Sequence, residues 1–176
     1  LAFGDDAYSM YEKVPGNIEV AFPMKEGVIS RFNDMQYLLQ NLLKKEHHFA
    51  RGSEYLVAVP TDVTELEKRA FFDLAASSIA KAKKVRVVEK PIADAIGSGL
   101  DVMNASGVMV VNIGADTTEI SIMSLGGIVL SKLVSTGGNK FDELIINNVK
   151  KKYNLIIGNK TAETIKKKLA YAINPE

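Results

Sequence analysis

Met35, Leu38, Leu39, Leu42 and Leu43 recur at i, i+3, i+4, i+7 and i+8, the spacing that puts one apolar stripe along a helix. Asn33 or Asp34 is placed to cap that helix, whose stripe is expected to pack on a sheet. The chain ahead of it has no comparable period and reads as a short irregular piece. Tyr55 to Val59 is an apolar run stopped by Pro60, which has no N–H to give a ladder, and it reads as a buried strand. Thr64 with Glu67 three residues on is a capping box, opening a helix through Arg69, Phe72 and Ala76 to about Ala82. Val85 to Glu89 is a β-branched strand that passes directly to Pro91, whose fixed φ suits the first turn of a helix reaching about Leu100. Three apolar strands follow as a β-meander, Val108 to Ile113, Glu119 to Leu125 and Ile128 to Val134, split by Gly114 to Thr118 and by Gly126 with Gly127. Gly137 and Gly138 lead into a helix through Phe141, Leu144, Ile145 and Val149, and Thr161 starts a last helix ending near Asn174 and Pro175.

This order predicts an α/β protein with mixed parallel and antiparallel pairing, two similar halves joined by one helix. It gives no function, and composition only narrows the choice. With 47% apolar residues among 176 the chain can bury a core. A net charge of +1 without a dominant basic or acidic block indicates neither nucleic acid nor an acidic substrate. The absence of cysteine removes disulfides, thiolate zinc sites and cysteine nucleophiles, and fits a cytosolic setting. No apolar run approaches the roughly 20 residues that span a bilayer, and no signal-peptide layout opens the chain. Leu1 in place of an initiating methionine suggests a piece of a longer protein.

Two turns carry candidate chemistry. The hairpin Gly114, Ala115, Asp116, Thr117, Thr118 combines small residues with hydroxyls, so its backbone N–H groups can converge on phosphate oxygens. Gly137 and Gly138 allow close approach of a ligand to a helix N-terminus, a second phosphate or ribose contact. Each, taken alone, is more often an ordinary turn.

Together they match a family. The segment VMVVNIGADTTEISIMSLGGIV (108–129) resembles the second phosphate hairpin of the actin, sugar-kinase and DnaK-type superfamily, whose usual form is close to D-I-G-G-G-T-T. Four more segments narrow the resemblance to MreB-type bacterial actins: GDDAYSMYEKVPGNIEVAFPMKEGVI, VPTDVTELEKRAFFDLA, EKPIADAIGSGLD and YNLIIGNKTAETIKKKLA, in the family's order. The resemblance implies an actin/DnaK-type ATPase fold of the ribonuclease H-like kind, with mixed sheets flanked by helices. In family terms, residues 1–27 are a remnant of small subdomain IB, 28–105 part of subdomain IA with a connecting helix at about 91–101, and 106–176 the start of subdomain IIA. It also implies ATP and Mg2+ as ligands. Phosphates lie against Gly114, Ala115 and Asp116, ribose and phosphates against Gly137 and Gly138, and adenine near Glu163 to Lys166. Without the family, Glu163 and Lys166 read as an exposed i, i+3 pair. The family's first phosphate loop and magnesium aspartate lie upstream of Leu1 and its second adenine-side segment downstream of Glu176, so this stretch alone is expected to bind nucleotide poorly.

The chain departs from the family pattern where hydrolysis is decided. The family carboxylate that orients the attacking water directly precedes the proline of the connecting helix; here that residue is Lys90, which when protonated has no lone pair to accept from water. Glu89, one strand position away, is expected to face the other side, unless the chain realigns by one residue and Glu89 serves. Asn112 stands for the family aspartate that helps hold the magnesium hydration shell. Ala115 and Asp116 replace glycines, and Thr117 and Thr118 remain to position water or phosphate. Slow ATP hydrolysis is the expectation.

Family members form double filaments on the inner face of the membrane, often through an apolar loop. The matching loop here, His47 to Gly52, has Phe49 as its only large apolar residue; His47 and His48 also read simply as a helix end. Lysine groups at 81–84, 150–152 and 166–168 read as solvated helix faces. The resemblance therefore implies a cytoplasmic filament subunit, peripheral at the inner membrane face, with itself and possible paralogues as partners. The alternatives are a non-hydrolysing scaffold that copolymerises with an active paralogue, a sugar kinase, for which no aspartate base is seen, and a DnaK-type ATPase, which normally keeps glutamate where Lys90 stands.

Overall fold

The computed structural model describes residues 1–45, 54–78 and 82–173. The chain forms two compact units, one of Leu1–Asn112 with Glu119–Leu133 and one of Ile113–Thr118 with Val134–Glu176.

The first unit opens with more order than its sequence suggests. Helix α1 (Asp5–Met10) is followed by a short antiparallel hairpin of β1 (Met24–Lys25) and β2 (Val28–Ile29), with Met24 opposite Ile29. Tyr11 meets the edge of Phe22 at 5.0 Å, so aromatic packing rather than period organises this piece. Helix α2 (Phe32–Lys45) carries the predicted stripe but packs on helix α3 (Glu65–Ser78) instead of a sheet. Gln36 Nε2 donates to Ser77 Oγ across that contact at 3.0 Å.

Strands β3 (Glu54–Val59) and β4 (Lys84–Glu89) pair in parallel with α3 as the connection, and Val59 stands opposite Glu89. Val59, Phe71, Leu74 and Ala75 are buried there. The capping box forms as predicted: Thr64 N and Oγ1 donate to Glu67 Oε2 at 2.6 and 2.8 Å, and Glu67 N returns a bond to Thr64 Oγ1 at 3.3 Å. The backbone N–H of Thr64, then its hydroxyl, hold the Glu67 carboxyl below its ordinary pKa of 4.5. Thr64→Ala is expected to cost about 1 kcal/mol at neutral pH. Because the folded pKa is depressed, the carboxylate's share is present above pH 4.5 and fades as pH falls through the folded value, so the gap between the urea midpoints of variant and wild type narrows in acid.

Helix α4 (Lys90–Gly97) has Pro91 in its first turn, as expected, but ends short of Leu100. Gly99 takes φ 74, with its N–H on Ile96 O at 3.0 Å and Leu100 N on Ala95 O at 3.0 Å. This is a Schellman stop, with glycine in the left-handed position and the apolar Leu100 just beyond. Ala95 packs with Val102 and Met123, flanked by Ile92, Val110 and Ile128, in the core beneath the meander.

The meander is a three-stranded sheet in the order β5 (Val108–Ile113), β6 (Thr118–Ser124), β7 (Gly127–Val134). Its second turn centres one residue earlier than expected, on Leu125 and Gly126 with φ 51 and 77, the two positive values of a type I′ hairpin. A buried polar group absent from the sequence reading ties this sheet to the corner after β3. Thr61 N and Oγ1 donate to Glu119 Oε1 at 2.7 and 2.5 Å; Ser131 Oγ bonds Thr61 Oγ1, and Ser121 Oγ lies 2.9 Å from Ser131 Oγ.

The second unit holds the tip of the first hairpin and two packed helices, α5 (Gly138–Tyr153) and α6 (Asn159–Leu169). Asn154, at φ 53, stops α5. The last helix begins two residues before Thr161 and ends at Leu169 rather than near Asn174, Ala170 being extended.

Candidate functional site

In the second unit the predicted residues come together. Gly114 N donates to Thr117 O at 2.8 Å and closes the hairpin tip, and Thr118 Oγ1 donates to Thr136 O at 2.7 Å. The start of α5 lies directly on this tip: Gly138 N donates to Gly114 O at 2.9 Å and Asn139 N to Ala115 O at 2.8 Å. Gly137 makes the approach possible. Its φ of −152° suits any residue, yet a Cβ there would sit 2.6 Å from both Gly114 O and Ala115 O.

This changes what the second glycine turn can do. The first two N–H groups of α5 donate to hairpin carbonyls. The dipole of α5 is nevertheless used: Asp116 Oδ1 accepts from Asn139 Nδ2 at 2.6 Å, which holds its carboxylate against the helix N-terminus, where negative charge is favoured. Asp116 thus has a protein partner on α5.

Lys166, on α6, reaches the same corner. Its Nζ donates to Gly138 O and to Asp142 Oδ2, each at 2.8 Å, with the lysine side chain only 20% exposed. A third N–H on that ammonium remains for a ligand. Asp142 escaped the sequence reading. The available signal was an acid three residues before Ile145 and seven before Val149, on the face those apolar residues share. Its Oδ1 is buried without a hydrogen-bond partner among the described residues. Glu163 points elsewhere in its pairing, to Lys167 at 2.7 Å.

Two further predicted residues belong to the first unit. Lys90 is the first residue of α4 and half-buried, with Glu89 as the extended residue before it. Asn112, at the end of β5, donates through Nδ2 to Asp94 Oδ2 on α4 at 2.5 Å. Asp94 had no role in the sequence reading. Phe49 lies outside the described residues. Among the described residues no three His, Cys, Asp or Glu side chains cluster as a metal site, and no helix is long and apolar enough to cross a membrane.

Comparison with known proteins supplies the rest. The family described as MreB/Mbl protein matches residues 1–176. The cell shape-determining protein MreB of Escherichia coli (strain K12) is 45% identical over 174 residues, covering 97% of this chain and 50% of that protein. The chain thus spans about half the length of the curated relatives it matches. MreB5 of Spiroplasma citri bound to ADP superposes with a TM-score of 0.92 at 32% identity, over 99% of this chain and 52% of that one. The same protein bound to AMPPNP gives 0.91. The MamK double helical filament, at 21% identity over 96% of this chain and 51% of that one, shares the fold with a TM-score of 0.76. The chain has the actin-like fold that the family resemblance implied.

Proposed function

The chain belongs to the MreB/Mbl protein family, and from that premise we propose that the protein carrying it is an ATP-binding, actin-like filament subunit acting in cell shape, with weak hydrolysis. Residues 1–27, 28–105 and 106–176 then belong to subdomains IB, IA and IIA. What carries the nucleotide reading is the corner where Gly114, Ala115, Gly137, Gly138 and Lys166 meet: a backbone turn where a Cβ at Gly137 would push hairpin carbonyls aside, beside a lysine with a donor to spare. It is supported by the ADP and AMPPNP held by MreB5 of Spiroplasma citri.

In this reading Gly114, Ala115 and Asp116 border the phosphates, Thr117 and Thr118 lie beside them, Gly137 and Gly138 fix the turn, and Glu163 with Lys166 border the nucleoside. Mg2+ accompanies ATP; when bound it neutralises charge that builds on the β- and γ-phosphates. The residues fit an ion held through its water shell, since Asn112 and Asp94 together offer a carboxylate and an amide oxygen. Lys90 orders phosphate oxygens by charge but cannot accept a proton from water. In this reading the protein that carries the chain binds ATP without turning it over readily.

Self-association into a double protofilament, at the inner face of the membrane in the cytoplasm, completes the proposal. A second reading, a scaffold that does not hydrolyse and copolymerises with an active paralogue, is favoured by Lys90 and Asn112 together. Equilibrium binding of a fluorescent ATP analogue to the natural protein tests the nucleotide reading. Saturable binding displaced by ATP and by ADP is expected, and no displaceable binding would refute it.

A further inference from the structure

Asp142, on α5, is 6% exposed, and among the described residues it is the one charged side chain buried in the second unit. Its Oδ2 accepts from Lys166 Nζ at 2.8 Å, and its Oδ1 is buried without a hydrogen-bond partner among the described residues. A buried carboxylate with one oxygen unmet is a poor stabiliser, and an apolar pair of similar volume serves packing as well. Helix α6, which packs on α5, already buries Ala162 completely. Packing alone therefore does not account for Asp142.

What the pair does is fix an ammonium. Lys166 Nζ is held between Gly138 O and Asp142 Oδ2, each at 2.8 Å, two acceptors one turn apart on α5. Glu163, three residues before Lys166 on its own helix, is paired with Lys167 instead. Gly138 leaves the room, since a Cβ there would lie 3.2 Å from Lys166 Nζ. With two of its three N–H groups engaged, the ammonium has one direction left for the third. A lysine held in this way loses its rotamer freedom in folding rather than in binding, which raises affinity for the group that the third donor meets. We infer that Asp142 is a positioning residue for nucleotide: buried and out of contact with the ligand, it aims Lys166 at the nucleoside. The inference rests on the nucleotide reading above, in which Lys166 borders the nucleoside, and adds the side chain that sets where its ammonium stands.

The test uses the natural protein that carries this chain, with ADP as the ligand. ADP affinity is read by displacement of a fluorescent ATP analogue, and the setting of the Lys166 ammonium by its rate of methylation with formaldehyde and a borane reductant, followed by mass spectrometry. In wild type, bound ADP is expected to slow methylation of Lys166. Asp142→Asn keeps the shape and removes the charge that holds the ammonium. It is expected to methylate faster at Lys166, to lose protection there by saturating ADP, and to bind ADP about tenfold more weakly, the worth of one hydrogen bond to a charged group. Gly138→Ala crowds the ammonium at its other contact and leaves Asp142 in place; it is expected to give the same three changes and stands in where Asp142→Asn does not fold. Unchanged ADP affinity in either folded variant overturns the inference and leaves the nucleotide reading standing. So does weakened ADP binding that still protects Lys166, the result a merely structural role would give, or a wild type that binds ADP without protecting Lys166. A wild type that binds no ADP overturns both.

Discussion

Replacing Lys90 with glutamate is expected to raise the rate of phosphate release from ATP about 10²-fold, the lower end of what a placed general base contributes. Residue 90 is the first of α4, entered from the extended Glu89 and held by Pro91, so the substitution changes chemistry without changing backbone. Glutamate there also faces the positive end of the helix dipole, so the variant should be no less stable than wild type. Lys90→Gln removes the cation without adding a carboxylate and is expected to leave the rate nearly unchanged. Glu89→Gln separates the remaining alternative. If Glu89 were the working acceptor, its loss would lower the wild-type rate; no such fall is expected.

Gly137→Ala is expected to destabilise the second unit by about 1–3 kcal/mol and to lower its urea midpoint accordingly. The methyl group meets two carbonyl oxygens at 2.6 Å, and both belong to backbone fixed by the closed hairpin tip. Relief requires parting Gly138 N from Gly114 O and Asn139 N from Ala115 O, so nucleotide affinity in the natural protein is expected to fall with stability. Gly138→Ala is the control. Its methyl would lie 3.2 Å from Lys166 Nζ, the end of a flexible side chain that can shift, and its effect on stability should be clearly smaller.

Local chemistry made most of the fold legible. The Thr64 and Glu67 pair announced a helix start, Pro60 and Pro91 marked strand ends, and strand spans followed from short apolar runs between turn residues. Helix ends were harder. The run from Ile92 to Leu100 looked continuous because Leu100, the apolar residue beyond a Schellman glycine, was counted into the helix. Period also says that α2 has a buried face without saying what covers it, and α3 does so.

The candidate site divides in the same way. Gly114 and Gly137 were visible because glycine marks places where backbone comes close, although the partner of Gly137 proved to be the hairpin. Asp142 with Lys166, Asp94 with Asn112, and Thr61 with Glu119 were not visible, since each joins residues 18 to 58 positions apart. Such pairs are fixed by packing of whole elements, and periodicity carries no record of which elements meet.

The account's central claim, a nucleotide-dependent filament with a disabled hydrolytic site, is tested most directly on the unmodified natural protein. Its sedimentation with and without ATP is measured together with phosphate release from the same sample. Pelleting that depends on ATP, with release far below that of Lys90→Glu, is the predicted result. Pelleting indifferent to ATP, or release already at the variant's rate, would contradict it.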